Sequence, residues 1–492
     1  MLRVPYSHLF NRTGREAYYP VLFMNQLICG RMAVRIGLLL ILWCIALNGN
    51  AQTLNLYDAV NKAVANYPLL QQRQAEVNAG RAHIKTVNSN RLPSLMLQDQ
   101  LDAGTSNALQ GTYLSLGMVP STPGGSATAA PNYNPNPVNV AISSLQWEFF
   151  NFGYYNAQRR QAGAQLAVNE ANLSSDKYLL TESMISVYLD WLKKYRLLQI
   201  QEENMQRAQV ILTSIRATVL SGLKPGVDSS TASAVYADAR MAYLQALDDY
   251  NYDRITLQSY TGINAGEIVP DTSFIGAAMP QLLVLGQPKT NVATGHPLLN
   301  VYEKQYEEQL AGNDAIARRY LPRAGVIGAA WERSSGVSYA GAYPDNITDG
   351  LPYSKFNYLL GVTLTYNLFD LRHRHDEVVE GRYQAQAKQS ALQNQQVALD
   401  KMMQQANASY ATTVEKLKEL PVQLYSARQA YGQQMALYKA GLNTLIEVTN
   451  AQYVLLQAES SYVLTQDALL QLLYIRAGLN GQLDDFLQNF KR

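Results

Sequence analysis

Two histidines one residue apart, His373-Arg374-His375, are the nearest approach to a metal-ligating pair in the chain. Imidazoles hold a divalent metal when further ligands converge on the same point. Here they flank Arg374 and follow Arg372 at a strand-to-helix junction, where clustered cations fit a membrane interface. His83 and His296 have no partner at ligand spacing, and the carboxylate pairs Glu202-Glu203 and Glu307-Glu308 fall in helical stretches as solvated faces. No P-loop, GxSxG or HExxH occurs. These residues support neither catalysis nor a cofactor, so the function must lie in the architecture.

That architecture is duplicated. Pro68-Leu69-Leu70 is followed 25 residues on by Leu92-Pro93, and Pro297-Leu298-Leu299 at the same spacing by Leu321-Pro322. Ser144-Leu145-Gln146-Trp147-Glu148-Phe149-Phe150-Asn151 matches Thr363-Leu364-Thr365-Tyr366-Asn367-Leu368-Phe369-Asp370, and Ser221-Gly222-Leu223 through Asp228 matches Ala440-Gly441-Leu442 through Glu447. Both of the latter pairings have the offset 363 − 144 = 440 − 221 = 219, so the segment between them carries no net insertion. A long-period repeat of this kind is one supersecondary unit used twice. The expected divisions are a leader at 1–51, repeats at 52–262 and 296–481, a connector at 263–295 and a tail at 482–492.

Met32 opens an expected export signal, with Arg35 as its cation, Ile36 to Leu47 as its apolar stretch and Gly49-Asn50-Ala51 as its small-residue end. The apolar stretch is shorter than the ~20 residues of a membrane-spanning helix. Cys29 and Cys44 both lie in this leader, which leaves a cysteine-free exported chain suited to a Gram-negative periplasm or outer membrane. The leader holds five arginines against Glu16, a net of +4, so subtraction from the total of +2 leaves about −2 and no basic field for nucleic acid. Charged residues make up 16 % of the chain, against roughly 25 % in soluble domains. Surfaces so poor in charge belong in lipid or in an assembly.

The periodicity predicts helices over 56–91, broken at Pro68, and over 154–220, 228–260, 296–321, 372–440 and 445–479. Tyr154 to Leu220 contains no proline and one glycine, and at about 1.5 Å per residue it makes a rod on the order of 100 Å long. Pro421 falls inside the second rod and is expected to bend it without ending it, since the matching segment of the first copy is uninterrupted. Strands are expected at 94–103, 138–149, 322–333 and 356–368, with turn-rich loops at 104–137 and 334–355. In the last strand Phe356, Tyr358, Leu360, Val362, Leu364, Tyr366 and Leu368 share one face, opposite Asn357, Gly361, Thr363, Thr365 and Asn367. That alternation fits a lipid-facing strand with water behind it; a half-buried strand of a soluble sheet has the same period.

Two strands per copy make four per chain, whereas a single-chain membrane barrel needs at least eight. Unpaired edges in lipid cost several kcal/mol per backbone group. Several chains must therefore share one barrel. Arg91-Leu92-Pro93, Trp147-Glu148-Phe149-Phe150-Asn151-Phe152-Gly153 and Tyr438-Lys439-Ala440-Gly441-Leu442 through Glu447-Val448 resemble the TolC family of outer-membrane efflux proteins, from about Leu54 to Gly481 and in both copies. The resemblance implies an α+β membrane protein, a homotrimer whose twelve strands close one barrel in outer-membrane lipid and whose twelve helical rods continue it as an α-barrel across the periplasm. It further implies a periplasmic adaptor, an inner-membrane pump of the RND or ABC type, and passive conduction of cargo. The alternative is a periplasmic coiled-coil structural or adaptor protein, whose strands would form a soluble sheet.

The resemblance also places roles at the helical reversals. Gly222, Leu223, Gly441 and Leu442 match the hairpin tips that meet the adaptor. Asp228 and Tyr438 match an acid–tyrosine pair that helps hold the tip closed. Asn443 replaces an arginine of that lock, and of two acidic residues lining the entrance Glu447 is present while Asn450 replaces the other. By themselves Asp228 and Glu447 are better read as helix N-terminal charges, worth about 0.3–1 kcal/mol each; only their paired placement brings the gate reading level with that one.

Overall fold

A computed structural model describes residues 52–105, 107, 130–222, 225–264, 266, 268–273, 292–293, 295–337 and 346–491. The leader and most of the connector thus lie outside the described residues. The elements run β1 (Gln52–Leu54), α1 (Leu56–Asn66), α2 (Pro68–Ser89), β2 (Ser94–Gly104), β3 (Asn136–Phe150), α3 (Tyr154–Leu220), α4 (Gly226–Thr261), β4 (Ile268–Pro270), α5 (Pro297–Arg319), β5 (Arg323–Ser335), β6 (Lys355–Thr365), α6 (Asp370–Lys439), α7 (Leu445–Leu479) and α8 (Leu483–Gln488). Asn55 caps α1 by accepting from the Asp58 N–H at 2.7 Å. Pro68 then opens α2 at a position where its missing N–H costs nothing.

β2, β3, β5 and β6 form one antiparallel sheet in that order. Its register aligns Leu97 with Ser143, Ala330 and Tyr358 across the four strands. Because side chains alternate, Leu95, Leu97, Leu101, Trp147, Val326, Phe356, Tyr358, Leu360, Val362 and Leu364 share a face, and Gln98, Gln100, Ser144, Gln146, Asn357 and Thr363 share the other. On β6, Phe356, Tyr358, Leu360, Val362 and Leu364 are exposed by 65–78 %. The strand stops at Thr365, three residues short of the expected end. Asn367 accepts from the Phe369 N–H at 3.2 Å and donates to Asp370 at 2.9 Å, a local turn that diverts the backbone into α6. Tyr366 and Leu368 are therefore exposed beyond the strand instead of lying in it. Residues 346–354 fold back over the other end of the sheet. Asn139 donates to the Leu351 carbonyl at 3.1 Å, Tyr353 to Asp99 at 2.8 Å, and a Cβ on Gly350 would collide with the Pro137 carbonyl.

The rods follow the strands without crossing. Nearest the sheet the helices lie side by side as α2, α3, α5, α6, the order of β2, β3, β5, β6; farther away the order is α4, α3, α7, α6. α3 has 67 residues and α6 has 70, and α6 passes through Pro421 without ending.

Where the two tiers meet, the chain builds its main apolar core. β1 pairs in parallel with β4, and Tyr188, Trp191, Met184, Leu257, Leu469, Leu473 and Phe486 pack beneath them. Tyr188 donates to the Leu54 carbonyl at 2.7 Å, tying α3 to β1. Within the expected tail, Leu483–Gln488 fold as α8, and Leu483, Phe486, Leu487 and Phe490 enter this core.

Asp467 of α7 is nearly buried beside the core, 3.4 Å from Lys193. Burial pushes its carboxyl up to about 6, with the charge of Asp190 adding to the rise and Lys193 opposing it. A carboxyl that holds its proton more tightly folded than unfolded stabilises the fold below its unfolded value near 4 and loses that contribution as pH rises through about 6. Asp467→Asn should therefore flatten the decline in melting temperature between about pH 4 and pH 7; an unchanged slope would show that other groups set it.

Candidate functional site: the helical tip

Both helical hairpins reverse within a few residues at the end of the molecule remote from the sheet. Gly222 follows α3 at φ 76° and Gly441 follows α6 at φ 75°, left-handed conformations that glycine adopts without strain. The Leu442 N–H donates to the Leu437 carbonyl at 2.9 Å and the Gly441 N–H to the Tyr438 carbonyl at 3.1 Å, closing the end of α6. Around these turns Leu220, Val227, Leu442 and Ile446 are 64–88 % exposed, an apolar rim that no other described residue covers. Leu223 lies outside the described residues.

Behind the rim, Ile211, Leu212, Ile215, Ala232, Tyr438, Leu445 and Val448 pack into a small cluster drawn from all four tip helices. Tyr438 is buried there, and Asp228, in the first turn of α4, lies near enough for its charge to act on the phenol. Burial pushes the phenol pKa up and the Asp228 carboxylate pushes it further. The structure thus brings the acid of one hairpin to the tyrosine of the other. Asn443 does not bridge the hairpins: its amide donates to Gln434 of α6, and its carbonyl oxygen accepts from the Thr444 N–H at 2.8 Å. Glu447 and Asn450 are exposed on the first turns of α7.

A second set of residues, absent from the sequence reading, lies higher in the bundle. Glu459 of α7 is 5 % exposed and accepts from Arg207 of α3 at 2.8 Å, while Arg428 of α6 stands 3.5 Å from its other oxygen. Gln452 of α7 donates to the side chain of Asn204 on α3 at 2.8 Å. A signal for them exists: Val448, Gln452, Leu455, Glu459 and Val463 recur at three- and four-residue spacing, so two polar residues occupy seam positions that packing alone would fill with aliphatics. His373 and His375 are exposed at the start of α6. Among the described residues, no three or more potential metal ligands gather at one point, and no helix is long and apolar enough to cross a membrane.

An apolar-faced sheet in line with a sheath of 100 Å-class helices is the form of an outer-membrane channel. The family model for "Outer membrane efflux protein" matches residues 59–263 and 332–473, and the chain belongs to that family. It is accordingly an outer-membrane protein reaching into the periplasm, and the family is one of efflux channels, not of enzymes. Solved structures of similar fold include the outer-membrane channel OprN (17 % identity, 87 % of this chain and 90 % of that one, TM-score 0.67). The outer-membrane protein VceC of Vibrio cholerae is similar at 16 % identity over 87 % and 96 % of the two chains, with a TM-score of 0.66. The CmeC outer-membrane channel of Campylobacter jejuni is similar at 13 % identity over 89 % and 90 %, also at 0.66. No curated protein sequence matches the chain.

Left-handed backbone disfavours a β-carbon by about 1–2 kcal/mol. Gly441→Val should therefore loosen the α6–α7 reversal, read as faster limited proteolysis near residue 441, with Gly441→Asn intermediate. Equal cleavage rates for all three proteins would show that the turn does not need glycine.

Proposed function

We propose that this chain is one third of a passive exit duct, a homotrimer that carries cargo from an inner-membrane pump and a periplasmic adaptor out through the outer membrane. The observation that carries this reading is the pair of open edges on β2 and β6. Four strands lie in one sheet, and three copies joined edge to edge make twelve, within the range of closed membrane barrels. Edge-to-edge joining also sets α6 of one copy beside α2 and α4 of the next, because those helices are outermost in their tiers. The exposed apolar residues of α4, among them Met241, Leu244, Tyr252 and Ile255, would then be covered. A soluble periplasmic coiled coil would leave the apolar face of β6 in water, which is unfavourable by about 25 cal/mol per Å².

In this duct Gly222, Leu223, Gly441 and Leu442 form the docking tips for the adaptor, whose apolar contacts would cover Leu442 and its neighbours. The tip cluster is the gate. Asp228 and Tyr438 hold the second hairpin against the first, Asn443 braces its own turn, and Glu447 with Asn450 lines the mouth. The pump, of RND or ABC type, supplies the driving force, and no step in the duct makes or breaks a covalent bond.

Carbonate washing of cells should leave the protein in the membrane fraction, and amine cross-linking should trap a trimer whose migration changes on boiling. A monomer released by carbonate would overturn the duct. Asp228→Ala combined with Tyr438→Phe should raise single-channel conductance in planar bilayers, and conductance equal to wild type would remove these two residues from the gate.

A further inference from the structure

We propose that Glu459 is the fulcrum of the tip: a buried carboxylate that pins the second repeat's hairpin to the first repeat's rod and so fixes where the tip begins to open. This rests on the gate reading above and extends it to residues outside the tip.

Three helices converge on one side chain. Glu459 accepts a hydrogen bond from Arg207 of α3 at 2.8 Å and faces Arg428 of α6 at 3.5 Å, while Arg207 also lies 3.7 Å from Glu203. Glu459 and Arg207 are the enclosed pair, with side chains 6 % and 20 % exposed, while Arg428 and Glu203 flank them from the surface. Arg207 precedes the end of α3 at Leu220 by 220 − 207 = 13 residues, which at 1.5 Å per residue puts the node about 20 Å above the turn. Two turns away on the same seam of α7, Gln452 donates to the Asn204 carbonyl at 3.3 Å and to its side chain at 2.8 Å.

The two kinds of contact divide the labour. Within the second hairpin α6 and α7 pack through Ala427, Leu455 and Ala458, small and apolar, which slide at little cost. Between the hairpins, at the level of the node, the seam adds the Arg207–Glu459 and Asn204–Gln452 pairs, whose hydrogen bonds are met in one register only. Apolar packing tolerates displacement; a desolvated carboxylate held by fixed arginine donors does not. Below the node the hairpins are joined by the Tyr438 cluster, so release of that cluster lets the tip swing while the node stays. Loss of the node instead moves the swing point up the rod and widens the entrance.

The test is single-channel conductance of the intact trimer in planar bilayers. Glu459→Gln keeps the shape and removes the charge, and it should raise conductance at least two-fold while the trimer still resists SDS at room temperature. Glu459→Asp, which retains the charge, should stay near wild type. Conductance of Glu459→Gln equal to wild type, with the Asp228→Ala, Tyr438→Phe protein conducting more, would overturn the fulcrum and leave the gate standing; failure of both would overturn the gate itself. If Glu459→Gln does not assemble, Asn204→Cys with Gln452→Cys decides. Joining those two thiols with a short reducible cross-linker should leave export intact, because a fulcrum stays closed while the tip swings, whereas export blocked by the bridge and restored by reductant would overturn the proposal.

Discussion

β2 and β6 each present a row of backbone N–H and C=O groups that no other strand of the sheet satisfies. In water such edges are merely adhesive, but among acyl chains every unpaired group is costly enough that open sheets do not persist. The apolar face of β6 commits this sheet to lipid, and the lipid commits its edges to partners. Much else follows from closing that ring. The rods leave the sheet in strand order, so in the proposed ring closing the strands would close the helices as well, without any helix crossing another. The sparse charge of the chain suits the same proposed assembly, in which lipid and neighbouring rods would cover much of its surface.

The duplicated plan, the rods and the alternation of β6 were legible in the sequence because each rests on a long or strict period. α3 and α7 begin and end where expected, marked by Gly153, Gly222 and Gly441 and by the absence of proline within either helix. Pro421 was correctly taken as internal, on the strength of the equal spacing in the two copies. Less was legible where the structure depends on contacts distant in sequence. β1 and β4 have three residues each and become strands only by meeting each other. α8 is six residues, too short to declare itself, and exists because Phe486 and Leu487 find the core. The end of β6 was misplaced because alternation continues through Tyr366 and Leu368 after the hydrogen bonds have stopped; side-chain period and backbone pairing are separate properties. At the tip the resemblance supplied Asp228 and Tyr438 and noted that Asn443 stands in place of an arginine; the structure shows Asn443 bonded within its own turn, to Gln434 and Thr444.

The energetics of the two regions differ in kind. Between the tiers, large aromatic and aliphatic side chains are fully enclosed and set a rigid girdle. Toward the tip the buried set shrinks to alanines, a few aliphatics and isolated polar groups. A segment with fewer enclosed apolar contacts opens at lower free energy, so the gradient of packing along the rods places the lower-stability end at the tip, where the proposed gate lies. The buried polar residues then define which arrangement is the resting one.

The common offset of the two copies has a consequence for how such a molecule can vary. Rods that run in parallel around one axis must keep a common length, or the turns at their ends fall out of plane. A heptad lost from α3 alone would tilt the mouth, and only a matched loss in α4, α6 and α7 would shorten it evenly. The chain therefore behaves as a ruler with graduations cut twice, and the depth of the compartment it crosses is recorded in its numbering.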